Sequence, residues 1–125
     1  MHGKLEWLDL TVPNAEKVLA FYQKVIGWDN SVVNMGDYDD FCVMPHGEEM
    51  PAAGICHARG DNADIPPVWI PYFTVHDLDA SIRDCQLHGG TCLTPIKKMG
   101  ARSRYIFIKD PAGAVCALFQ KDPDQ

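Results

Sequence analysis

The chain has 125 residues, 46% of them hydrophobic and 22% charged, the balance of one globular domain with room for a packed core. Its net charge of −6 and sequence pI near 5.1 argue against nucleic acid and anionic membrane surfaces as partners, because Lys and Arg clusters hold both. No apolar run approaches the roughly 20 residues of a membrane span, the start MHGKLEW has no apolar secretion segment, and Cys42, Cys56, Cys85, Cys92 and Cys116 lack zinc-like spacing, so reduced thiols in a cytoplasmic protein are expected.

Leu8, Leu10 and Val12 alternate with Trp7, Asp9 and Thr11, the period of a strand with two different faces. Pro13 and Asn14 end it, and Asn14 is placed to cap a helix. From Ala15 to Ile26 the apolar residues Val18, Leu19, Tyr22, Val25 and Ile26 form one helical stripe, closed by Gly27. That stripe has the aliphatic face of the preceding strand to cover. Three short strands are then expected at Ser31–Val33, Asp40–Met44 and Ala53–Ala58, with turns at Met35-Gly36-Asp37 and Pro45-His46-Gly47. Residues 59–67, RGDNADIPP, read as a polar linker.

The second half repeats this grammar. A strand over Val68–Val75 precedes a helix capped by Asp77, with Leu78, Ile82 and Cys85 inward and Gly89-Gly90 as its stop. Strands follow at Thr91–Thr94, Arg104–Lys109 and Ala114–Gln120, and Asp110-Pro111-Ala112-Gly113 suits a type I turn between the last two. Setting Val12-Pro13-Asn14 on Val75-His76-Asp77 gives an offset of 63 residues (75 − 12), which also sets Gly27 on Gly90. With a gap of three, Phe41 falls on Phe107 and Gly47 on Gly113.

These motifs in this order (VPN before a helix ending AFYQKVIGW, the strand VWIPYF followed by HDLDAS, and the closing RYIFIKDPAGA) resemble the vicinal oxygen chelate superfamily. That group includes glyoxalase I, bleomycin-resistance proteins, fosfomycin-resistance enzymes and extradiol dioxygenases; the resemblance is strongest to its small glyoxalase-like "hydroxylase" set. It implies an α+β fold: one domain over residues 1–125, made of two βαβββ modules, 5–58 and 68–120, joined by 59–67. The sheets would form a half-open eight-stranded barrel around a central cleft, and a homodimer is expected.

Metal-using members of that family carry ligands early on the first strand and on the last strand of each module. The resemblance sets three of these positions on Trp7, Ile70 and Ala117, with His57 as the inward candidate for the fourth. Trp, Ile and Ala offer no donor to a divalent cation. The expectation is therefore a domain that binds, and in one version converts, a small organic metabolite without the usual metal tetrad or any cofactor. A metal-dependent lyase, isomerase or dioxygenase with atypical ligands is the first alternative, and a non-catalytic drug- or metabolite-sequestering protein the second.

Alternation turns Trp7, Asp9 and Thr11, and Ile70, Tyr72 and Thr74, away from the helices. Asp9 is a general-base candidate if its carboxyl is desolvated, or else an ordinary strand-end acid. His57 is a second catalytic candidate, or merely the start of the polar linker. Trp7 and Tyr72 are stacking groups or core filling. Ile70, Thr11, Thr74 and Ala117 complete the expected lining. Lys97, Lys98, Arg102 and Arg104 concentrate positive charge in an acidic chain, as an anion-attracting or simply a solvated loop. Arg104 is the ligand-binding candidate among them, with support of the Asp110-Pro111 turn as its structural alternative.

Overall fold

The computed structural model describes residues 2–121, the Asp61 side chain excepted; the expected domain limits at 1 and 125 lie outside them. The elements in chain order are β1 (Leu5–Val12), α1 (Ala15–Val25), β2 (Asp29–Asn34), β3 (Asp39–Met44), β4 (Ala53–His57), β5 (Trp69–Thr74), α2 (Leu78–Leu87), β6 (Thr91–Cys92), β7 (Lys97–Met99), β8 (Ser103–Lys109) and β9 (Val115–Gln120). A short 3₁₀ turn, Gly60–Asn62, interrupts the expected linker. The chain divides into two compact units: Leu8–Trp69, and the residues up to Trp7 together with those from Ile70 onward.

In the Leu8–Trp69 unit the strands lie in the order β2-β3-β4-β1, with β4 parallel to β1 and the other neighbours antiparallel. Leu10, Val12, Phe41, Val43, Ala53 and Ile55 make one apolar face, covered by Ala15 and Leu19 of α1. Each such Leu or Ile removed from water contributes roughly 1.5–3 kcal/mol. In the other unit β5 lies between the start of β1 and β9, and β8 carries both β6 and β7 on its far side. Gly3 N donates to Thr74 O (2.6 Å) and Thr74 N to Lys4 O (2.8 Å), which ties the first residues to β5. Val75, Leu78, Ile106 and Ile108 form the core beneath α2.

The two modules share one register. Asp9 pairs with Gly54 and Thr11 with Cys56, while Tyr72 pairs with Ala117 and Thr74 with Phe119, so both parallel pairs reproduce the offset of 63. The antiparallel pairs correct the rest of the repeat. Phe41 faces Ile55 as Ile106 faces Leu118, so Phe41 corresponds to Ile106 at an offset of 65 (106 − 41) and not to Phe107. The helix-ending glycine with positive φ is Gly27 (83°) in one module and Gly89 (96°) in the other, so Gly89, not Gly90, is the match. Helix α2 is one residue shorter than α1, and that shifts its stop.

Two further expectations change. Asn14 makes no side-chain cap to α1, and its helix starts with only the Asn14 carbonyl accepting from Val18 N (3.1 Å). Asp77 does cap α2, accepting from Ala80 N at 3.1 Å. Asp77→Ala is therefore expected to lose about 1 kcal/mol in urea unfolding and Asn14→Ala far less; equal losses would contradict the assignment. The second change is a ninth strand. Lys97–Met99 pairs with β8 where a loop was expected, because its lysines hide an edge strand from an apolar pattern. The hairpin turns at Gly100, φ 70°. The Asp110–Gly113 turn forms as expected: Gly113 N donates to Asp110 O, and Asp110 Oδ1 accepts from Ala112 N and Ala114 N.

Candidate functional site

Alternation leaves each module a face turned away from its helix. In the Leu8–Trp69 unit, Asp9, Gly54 and Cys42 stand level across β1, β4 and β3, with Thr11 and Cys56 in the next row. The Cys56 thiol donates to the Asp9 carboxylate, with Sγ 3.4 and 3.6 Å from its oxygens. Burial, then the negative charges of Asp9 and Asp40, pushes the Cys56 thiol far above its ordinary range, and burial and Asp9 raise that of Cys42. Both thiols stay protonated, which suits hydrogen-bond donors and not nucleophiles.

In the other unit, Ile70, Tyr72, Thr74 and Ala117 do share the helix-free face, and all four are buried. Two residues not singled out from the sequence join them. Tyr105 pairs with Phe119 and Phe107 with Ala117, so both project to the same side. The ring centroids of Tyr72, Tyr105 and Phe107 lie 5.7–5.8 Å apart, a three-ring aromatic wall. Their period-2 spacing to Ser103 was legible; their partnership with Tyr72 depends on the β8–β9–β5 register. Trp7, half-buried on β1, belongs to the same unit.

His57 and Arg104 face elsewhere. Val12 pairs with His57, so this histidine lies on the helix-covered side of β4, opposite in parity to Asp9. Its Nε2 meets Glu16 Oε2 of α1 at 2.8 Å, and its Nδ1 meets Asp40 Oδ1 at 3.2 Å, while Asp40 Oδ1 also accepts from the His57 backbone N. Tyr38 packs edge-on against the imidazole at 5.3 Å, and the Arg59 guanidinium sits 4.2 Å over the Tyr38 ring. Burial alone would lower the His57 pKa, but its hydrogen bonds and proximity to Glu16 and Asp40 outweigh that and hold it above the ordinary value. The same hydrogen bond holds Glu16 below the usual carboxylate range.

The second module builds the matching tie from other residues. Gln120, the repeat partner of His57, accepts from Leu78 N at the start of α2 (2.7 Å) and from Arg104 (3.3 Å), and Arg104 also pairs with Asp79, the partner of Glu16. Both ties fasten the last strand to the first helical turn. Arg104 thus braces α2 and β9, not the Asp110-Pro111 turn, and by parity stands on the side away from Thr74 and Ala117.

The shared register also tests the expected metal positions. The counterpart of Ala117 in the first module is Gly54, not His57. The four strand positions therefore carry Trp7, Gly54, Ile70 and Ala117, and their side chains supply no oxygen or nitrogen able to ligate a divalent cation. Among the described residues, no group of three His, Cys, Asp or Glu side chains is arranged to hold a metal ion. The family's metal centre does not fit these residues.

The sequence pattern of the Glyoxalase/Bleomycin resistance protein/Dioxygenase superfamily matches residues 4–118. The chain belongs to this superfamily. It is 31% identical over 121 residues to CFP32 of Mycobacterium bovis, named as a glyoxylase, a match covering 94% of this chain and 46% of that protein. The anthracycline biosynthesis protein DnrV of Streptomyces peucetius is 29% identical over 131 residues, with 95% and 47% covered. The chain thus spans about half the length of the curated relatives it matches. The superfamily fold is also seen in methylmalonyl-CoA epimerase from Mycobacterium tuberculosis (TM-score 0.57, 20% identity, 98% of this chain and 89% of that one). A superfamily member from Vibrio splendidus 12B01 shares it too (TM-score 0.59, 11% identity, 92% and 97%). No helix among the described residues is long and apolar enough to cross a membrane.

Proposed function

We propose that this chain is a single superfamily domain, modules 5–58 and 68–120 joined by 59–67, that binds a small planar organic molecule without a metal. The observation that carries this reading lies within one unit: Trp7, Ile70 and Ala117 stand at strand positions where metal donors were expected, and Tyr72, Tyr105 and Phe107 form an aromatic wall on the same helix-free face, while Gly54 stands at the matching position of the other unit. On this face Trp7 and Tyr72 offer ring surface, Ile70 and Ala117 offer apolar contact, and Thr74 offers a hydroxyl, a composition suited to small-ligand recognition. On the helix-free face of the Leu8–Trp69 unit, where Thr11 also projects, Asp9 is a carboxylate able to take a proton. His57 and Arg104 leave the set, since their polar atoms fasten helices. A relative named for anthracycline biosynthesis supports a polycyclic aromatic ligand. The five cysteines, none of them disulfide-bonded, support a reducing, cytoplasmic setting, and a homodimer is the expected assembly.

An anthraquinone titrated against tryptophan fluorescence tests this reading. Saturable quenching is expected, with the same midpoint before and after treatment with EDTA. Binding that disappears with EDTA and returns with added metal would overturn it.

A further inference from the structure

The ligand's charge can be read from one row of side chains. Lys97 pairs with Tyr105 across β7 and β8, Tyr105 with Phe119 across β8 and β9, and Phe119 with Thr74 across β9 and β5. Directly paired residues project to the same side of a sheet. The row Lys97–Tyr105–Phe119–Thr74 therefore crosses the helix-free face of one unit, beside Tyr72. Three strand spacings separate its ends, roughly 14 Å. At one end the Thr74 hydroxyl is buried, with the residue 4% exposed, and finds no hydrogen-bond partner among the described residues. A buried hydroxyl left unpaired is destabilising, and native proteins usually satisfy such groups. At the other end stands the half-buried Lys97, a cation on an aromatic face of an otherwise acidic protein.

We infer that this row binds an elongated aromatic anion, its rings against Tyr105 and Tyr72, its carboxylate or phenolate toward Lys97, and a polar oxygen on the Thr74 hydroxyl. The inference rests on the proposed metal-free aromatic site and adds the charge and polarity of the ligand. It also gives a role to the basic segment, because the hairpin sorts its charges by parity. Lys98 pairs with Arg104 and projects to the opposite side, so only Lys97 joins the row.

Anthraquinone-2-carboxylate and its neutral carboxamide, titrated against the same protein, test it. The carboxylate is expected to bind about tenfold more tightly at low salt, with the margin shrinking as salt is added. Lys97→Met should remove that preference, and Lys98→Met should keep it. Thr74→Val should weaken the carboxylate roughly fivefold, the effect of one lost hydrogen bond, while leaving the free protein as stable as before or more so. A destabilised Thr74→Val protein would mean that the hydroxyl already serves the fold, and would overturn its part. Equal binding of acid and amide, or a preference that survives Lys97→Met, overturns the charge assignment and leaves the aromatic site standing. Failure of both compounds to bind overturns the aromatic site as well.

Discussion

Replacing His57 with alanine is expected to lower the unfolding free energy by about 3 kcal/mol, the loss typical of stripping one partner from a buried charged pair. The imidazole is 8% exposed, and the Asp40 carboxylate beside it is nearly as buried. Without the ring, Asp40 keeps the His57 backbone N–H as a donor but loses its imidazole partner and faces a cavity. Little of the loss belongs to Glu16, which is solvent-exposed and screened. A double substitution with Asp40→Asn should recover part of the loss, because the stranded charge goes with it.

The effect carries a pH signature. The folded-state pKa of His57 lies above its ordinary 6.5, so its contribution is fully present below about 6.5 and is lost as the pH rises through the raised value. The Glu16 pKa lies below its ordinary 4.5, so its contribution is present above about 4.5 and is lost as the pH falls through the lowered value. The tie is complete between those limits. Among the described residues, the imidazole faces Glu16 from α1, Asp40 from β3 and the Tyr38 and Phe41 rings, with Arg59 behind Tyr38; both carboxylates bond to it directly. Urea unfolding at pH 6 and pH 8.5 should show the gap between wild type and His57→Ala narrowing at the higher pH. A gap that widens would reverse the assigned sign.

Gly90→Ala is expected to cost about 2–3 kcal/mol, the penalty of forcing an extra methyl into packed surroundings. Gly90 has no positive φ, so no backbone strain requires glycine there. Space does. A Cβ would lie 2.5 Å from Cys85 Sγ, 2.9 Å from the Lys109 carbonyl oxygen and 3.2 Å from the Cys85 carbonyl oxygen. The sulfur can rotate away, but the Lys109 carbonyl belongs to β8 and moves only with the strand. Gly89 is the reverse case: its φ is 96°, while its Cβ would meet only Pro111 at 3.6 Å, an ordinary contact. Gly89→Ala should therefore cost only about 1 kcal/mol. Adding Cys85→Ala to Gly90→Ala should relieve the sulfur contact and leave most of the loss. Thermal unfolding of the two single variants decides the order, and a costlier Gly89→Ala would contradict it.

The fold was legible wherever local chemistry and long-range pairing agree. Alternation in Leu8–Val12, the stripe of α1 and the Asp110–Gly113 turn each depend on neighbours within a few residues. What depended on register was not legible. A shift of one residue separates Phe107 from Ile106 as the partner of Phe41, and so separates an aromatic wall from an aliphatic core. The same parity moved His57 from an inward candidate to a helix tie. Its partners Glu16 and Asp40 lie 41 and 17 residues away, with no local spacing to announce them. Lys97 was visible as charge but not as a strand residue, because an edge strand of lysines has no apolar period. Thr74 could be placed on a face by alternation, whereas its unpaired hydroxyl emerges only from the packed structure.

On the proposed reading, this superfamily member binds its ligand without the family's metal. Elemental analysis of the purified chain, after incubation with manganese, iron, nickel and zinc and exhaustive dialysis, tests it most directly. The residues at the four strand positions predict a metal content far below one equivalent per chain for every ion. One retained equivalent of any of them, released by substituting Asp9, would contradict the account.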